Sequence, residues 1–75
     1  MNFYRWLEPF VNQHGPYYSA ACYAHSDFDF PLTSNVHELS DYITYLNIRD
    51  SIKQSFYDAL AAYQAAKKAI QLRII

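Results

Sequence analysis

The chain has 75 residues, 52% hydrophobic and 19% aromatic against 17% charged, with a formal net charge of −1. That length admits one domain with one core, burying only about 60% of the unfolded surface, and the composition excludes a disordered chain, which is poor in aromatics and rich in charge. The near-neutral balance lacks the basic bias of a non-specific nucleic-acid binder, and Cys22, the only cysteine, excludes an internal disulfide and a multi-cysteine zinc site.

In chain order, Phe3, Trp6, Leu7, Phe10 and Val11 fall at the spacing of one helical face, with Asn2 in front as an N-cap. Pro9 lies inside that pattern and predicts a kink or an early end, because it removes a hydrogen bond to the preceding turn. Gly15 and Pro16 mark a turn, with Pro16 suited to the first position of a second helix. That helix returns Ala20, Ala21 and Ala24 on one face, small enough for close approach, and carries Tyr18, Cys22 and His25 on its flank.

The stretch from Ser26 to Leu32 alternates acids and aromatics, but a lone strand has no partner in this chain. An extended connector at about 27–33 is expected instead, with Phe28 and Phe30 as buried anchors. Asn35 through Glu38 has the form of a capping box, with Ser34 as a competing cap, and opens a third helix through Val36, Leu39, Tyr42, Ile43 and Leu46. Asp50 is expected to cap the fourth and longest helix, whose stripe is Ile52, Phe56, Ala59, Leu60, Tyr63, Lys67 and Ile70. Beyond it, Leu72 and Ile75 leave the stripe. The pattern predicts an all-α fold: a compact bundle of four short helices forming one domain over 1–75.

The order of landmarks also resembles a known family. Asn2-Phe3-Tyr4-Arg5-Trp6-Leu7 is similar to the opening of the small bacterial YozE-like proteins, and Asp27 to Ser34 resembles their acidic-Phe-Pro-x-x-Ser connector. Glu38-Leu39 with Tyr42-Ile43, and the run from Phe56 to Tyr63, resemble the family's two later helices, although Leu60 stands where the family usually has Trp and Tyr57 where it usually has an acid. The resemblance covers 2–63 and leaves 64–75 as a C-terminal helix extension. It implies a sterile-alpha-motif-like fold of Gram-positive bacteria and their mobile elements, and carries no established activity.

No catalytic or metal-binding pattern stands out, so neither a catalytic residue nor a cofactor is expected. Cys22 and His25 sit at i, i+3, but no orienting acid or oxyanion hole accompanies them, and the thiol reads as a small apolar group. His25, Asp27, Asp29, His37 and Glu38 read as caps and exposed polar groups. Asp27-Phe28-Asp29 lacks the glycine and distal glutamate of a calcium loop, and adjacent His37 and Glu38 diverge by about 100° on a helix.

A binding role remains. Tyr17, Tyr42 and Tyr63 belong to the helical stripes or border them, whereas Tyr4, Tyr18, Tyr23, Tyr45 and Tyr57 fall away from their centres and are candidates for a partner surface. Lys53, Lys67, Lys68 and Arg73 join them as candidate partner-binding cations. Residues 1–48 hold one Arg or Lys against five acids and residues 49–75 hold five against two, a gradient able to orient a partner or simply to complement the last helix's dipole.

The expected function is a non-enzymatic protein-interaction module, its partner another protein or a second copy meeting acidic early surface with basic last helix. The alternative is a nucleic-acid-associated regulator using the basic C-terminal helix, and a third reading is a mobile-element inhibitor of a host protein. The first residues resemble neither a signal nor a transit peptide, and no stretch approaches the roughly 20 apolar residues of a membrane span, so a cytoplasmic, non-membrane protein is expected.

Overall fold

The structure, a computed structural model, describes the backbone of residues 1–74 and the side chains of residues 1–69. Among these the chain forms α1 (Phe3–Leu7), a 3-10 helix (Glu8–Asn12), α2 (Tyr18–Ser26), α3 (Val36–Tyr45) and α4 (Asp50–Ile74), with no strand.

The expected N-cap is present, with Asn2 Oδ1 accepting the Arg5 amide at 2.8 Å. The helix stops after five residues, as Pro9 predicts. A helical residue 9 would donate to the Arg5 carbonyl; proline cannot, and the Glu8 amide takes that carbonyl instead, tightening the chain into the 3-10 helix. Pro16 does not open the second helix. It occupies the second position of a turn closed by the Tyr18 amide on the Gly15 carbonyl at 3.2 Å, where its fixed φ is favoured, and α2 begins two residues later.

The connector corrects a second expectation: Phe30 is 4% exposed and stacks on Phe56 with centroids 5.8 Å apart, whereas Phe28 is fully exposed. The cause is Asp27, whose Oδ1 accepts the Asp29 amide at 3.0 Å while its carbonyl accepts the Phe30 amide at 3.2 Å. This side-chain-braced turn carries Phe28 at its tip, so the two rings do not share a face as they would in extended chain. Farther on, Thr33 accepts the Phe3 amide through its carbonyl, tying the connector to α1.

Asn35 caps α3 through Oδ1 to the Glu38 amide at 3.2 Å, so Asn35 and not Ser34 is the cap. Only half of the capping box is made: the Asn35 amide donates to Thr33 Oγ1 rather than to Glu38. Asp50 lies inside the first turn of α4, not ahead of it. The Arg49 carbonyl accepts the first helical amides, from Ile52 and Lys53, and the Asp50 carboxylate complements the helix dipole from within.

The core joins Phe3 and Leu7, the α2 alanines Ala20, Ala21 and Ala24, Phe30, Leu39 and Ile43, and the α4 stripe Phe56, Ala59, Leu60 and Tyr63. Those alanines let α2 lie close along α4, and the single Ser55 hydroxyl between them accepts the Ala20 amide at 3.1 Å and donates to the Pro16 carbonyl at 2.7 Å. The long axis of the molecule is 40 Å, close to the roughly 37 Å of a 25-residue helix. The side chains of Ile70, Leu72, Arg73 and Ile75 lie outside the described residues.

Candidate functional site

The eight tyrosines divide by environment rather than by helical stripe. Tyr63 is buried, its hydroxyl donating to the Met1 carbonyl at 2.7 Å, and burial raises its ionisation above the ordinary value. Tyr17 and Tyr42 border the core as expected. So do Tyr4 and Tyr23, two of the five assigned to a partner surface: Tyr23 sets its edge on Phe56 at 5.9 Å, and Tyr4 lies 4.0 Å from the His25 ring and 6.2 Å from Phe30. Both lie off the centre of their helical stripes but are covered by a neighbouring element, Tyr4 by the end of α2 and the connector, Tyr23 by α4.

Tyr18 is half-buried beside His14, ring centroids 4.3 Å apart, and the neighbouring Cys22 thiol raises its ionisation. Tyr57 is 38% exposed and shares a hydrogen bond of 2.9 Å with Thr44 Oγ1. Tyr45, at the end of α3, is 87% exposed. Of the five candidates, Tyr45 and Tyr57 are thus the exposed ones.

What the fold does bring together is a face made by α3 and the connector. Glu38, Asp41, Tyr42, Tyr45 and Leu46, spaced i, i+3, i+4, i+7, i+8 on α3, line an open and mostly apolar groove of about 440 Å3. A second groove of about 230 Å3 lies between α1, the end of α2 and the connector, lined by Tyr4, His25, Asp27, Phe28, Phe30 and Leu32. The two meet where Tyr42 donates its hydroxyl to Asp27 Oδ2 at 2.6 Å. That bond to a carboxylate, reinforced by burial, pushes the Tyr42 phenol up to about 12. His25 donates from Nε2 to the Tyr4 carbonyl at 3.2 Å, which fixes its tautomer and its ring across the second groove.

Phe28 and Leu32, the latter 69% exposed, were not among the candidate partner residues. The signal for Phe28 was present in Asp27-Phe28-Asp29, since an Asp two residues ahead of a turn amide is a turn former. Each groove carries carboxylates, Glu38 and Asp41 in the first and Asp27 in the second.

The candidate cations are dispersed. Lys53 Nζ donates to the Thr44 carbonyl at 2.9 Å, capping the end of α3, and Lys67 Nζ donates to the Ser34 carbonyl at 2.9 Å while lying 5.2 Å from the Tyr63 ring centroid. Lys67 thus covers apolar surface with its stem, as its place in the stripe implies. Lys68 is exposed, and the Arg73 side chain lies outside the described residues. No group of three or more His, Cys, Asp and Glu able to hold a metal ion occurs among the described residues. Nor is any helix there long and apolar enough to cross a membrane.

No curated protein and no solved structure matches the chain. The family described as YozE SAM-like fold matches residues 2–65, from the α1 cap through the aromatic stripe of α4, and the all-helical bundle agrees with it. The chain belongs to the YozE SAM-like family.

Proposed function

We propose that this domain is a non-enzymatic protein-interaction module acting in the cytoplasm, with the α3–connector face as its binding surface. The observation that carries this reading is the exposure of Phe28, Leu32 and Tyr45 around two adjoining grooves in a chain whose core is otherwise well closed. Exposed large apolar side chains gathered on one face and rimmed by polar residues are the mark of a protein contact. Tyr45 and Phe28 are aromatic anchors of the kind that dominate binding energy, and the braced Asp27 turn holds Phe28 with little conformational freedom left to lose on binding.

Association with nucleic acid is the weaker reading, because Lys53 and Lys67 direct their ammonium groups to backbone carbonyls and the grooves are rimmed by carboxylates that repel phosphate. Photo-crosslinking in cells tests the proposal, with a benzophenone amino acid placed at Phe28 or Tyr45 and, as control, at Ser19, exposed on α2 outside both grooves. Discrete protein adducts at the first two positions and none at Ser19 support it. Equal, diffuse labelling at all three sinks it.

A further inference from the structure

We infer that the groove between α1, the end of α2 and the connector is a pocket for a single arginine side chain presented by a partner protein. This rests on the interaction reading above and names the chemistry that the partner brings. The groove, about 230 Å3, is smaller than the roughly 300–1,000 Å3 of pockets for whole drug-sized ligands, and has room for one long side chain. Apart from Asp27 and Leu32 its lining is aromatic. Tyr4 and His25 lie with ring centroids 4.0 Å apart, Phe30 joins them to the core, and Phe28 stands fully exposed.

Asp27 decides the kind of guest. Its Oδ1 accepts the Asp29 amide at 3.0 Å and its Oδ2 the Tyr42 hydroxyl at 2.6 Å, both neutral donors. Each carboxylate oxygen has a second lone pair for a further donor, and among the described residues no Lys or Arg lines either groove. An apolar guest would cover this half-buried carboxylate without replacing the water it loses, and an anionic guest would be repelled. A cation is drawn both by the carboxylate and by the faces of the rings. Guanidinium suits the groove better than ammonium: it is planar, stacks on a ring face, carries five donors and gives up its water more readily. The same Asp27 that supplies the charge braces the turn that carries Phe28, so charge and ring are held in one register.

An NMR titration of the isotope-labelled chain tests this, with capped alanine pentapeptides whose central residue is arginine, lysine or citrulline, the last keeping arginine's shape without its charge. The arginine peptide is expected to shift the amides of Tyr4 and of His25 through Phe30 saturably. It should bind on the order of tenfold more tightly than the citrulline peptide, with lysine between them. Asp27→Asn keeps an oxygen for the Asp29 amide while losing the charge, and Phe28→Leu keeps apolar bulk while losing the ring. Each is expected to weaken the arginine peptide by about fivefold or more, and the variants' own spectra, unchanged outside the connector, check that they remain folded. No saturable binding of the arginine peptide overturns the inference, as does equal affinity for arginine and citrulline, or binding that Asp27→Asn leaves unchanged. Shifts confined to residues 38–46, along the first groove, overturn it too. So does a wild-type oligomer in sedimentation that Asp27→Asn dissolves, because the occupant is then a second copy. In each of these cases, crosslinked adducts of foreign mass at Phe28 and Tyr45 preserve the broader interaction reading, and their absence removes both.

Discussion

The Ser55 hydroxyl donates to the Pro16 carbonyl at 2.7 Å, across 39 residues of sequence, while accepting the Ala20 amide at 3.1 Å. Ser55 is the one buried polar side chain among the described residues, and it stands in for the missing N-terminal cap of α2, whose Tyr17 offers no side-chain acceptor. Ser55→Ala strands a buried amide and weakens the α2–α4 contact together. The expected loss is about 1–3 kcal/mol, seen as a lower urea midpoint with unchanged slope.

The two connector phenylalanines separate stability from binding. Phe30→Ala empties a site between Phe3, Tyr42 and Phe56 and is expected to cost about 3–5 kcal/mol, a large share of what so small a domain has. Phe28→Ala removes no intramolecular packing and is expected to change stability by less than about 0.5 kcal/mol. Thermal melts of the two variants side by side check this, and equal losses would contradict the turn geometry.

Tyr63→Phe deletes only the hydroxyl that holds the Met1 carbonyl, 62 residues away. A cost of about 0.5–1.5 kcal/mol is expected, with faster hydrogen exchange concentrated in the amides of α1. Exchange raised evenly through α3 as well would assign Tyr63 a global packing role instead.

The Tyr42–Asp27 bond gives the domain a dependence on alkaline pH. The folded phenol ionises near 12 and the unfolded one near 10, so the protonated form is favoured by folding. That contribution is complete below about pH 10 and is lost as pH rises from there through 12. Urea midpoints measured from pH 8 to pH 11 should fall more steeply for the wild type than for Tyr42→Phe, which has no such proton to lose.

Local patterns were legible where neighbouring residues settle the outcome. The Asn2 and Asn35 caps, the break at Pro9 and the buried stripe of α4 each depend on hydrogen bonds or spacing within a few residues. The capping box at Asn35 was legible only in half, because its second bond competes with Thr33, which lies outside the motif. Tyr4 and Tyr23 pack against the core for a related reason: a ring off the centre of its own helical stripe is still covered when another element lies beside it.

The sequence by itself determined a four-helix bundle, its approximate helix limits, its family, and the acidic-to-basic gradient along the chain, since these follow from composition, periodicity and the order of motifs. Only the tertiary structure decided which aromatics face outward. Exposure depends on the neighbours a side chain meets across the fold: Asp27 braces a turn that lifts Phe28 into solvent, and α3 aligns Tyr45 and Leu46 with two acids along one groove. The candidate binding face is thus assembled from the connector and α3 together with the ends of α1 and α2, and no single segment of the chain contains it.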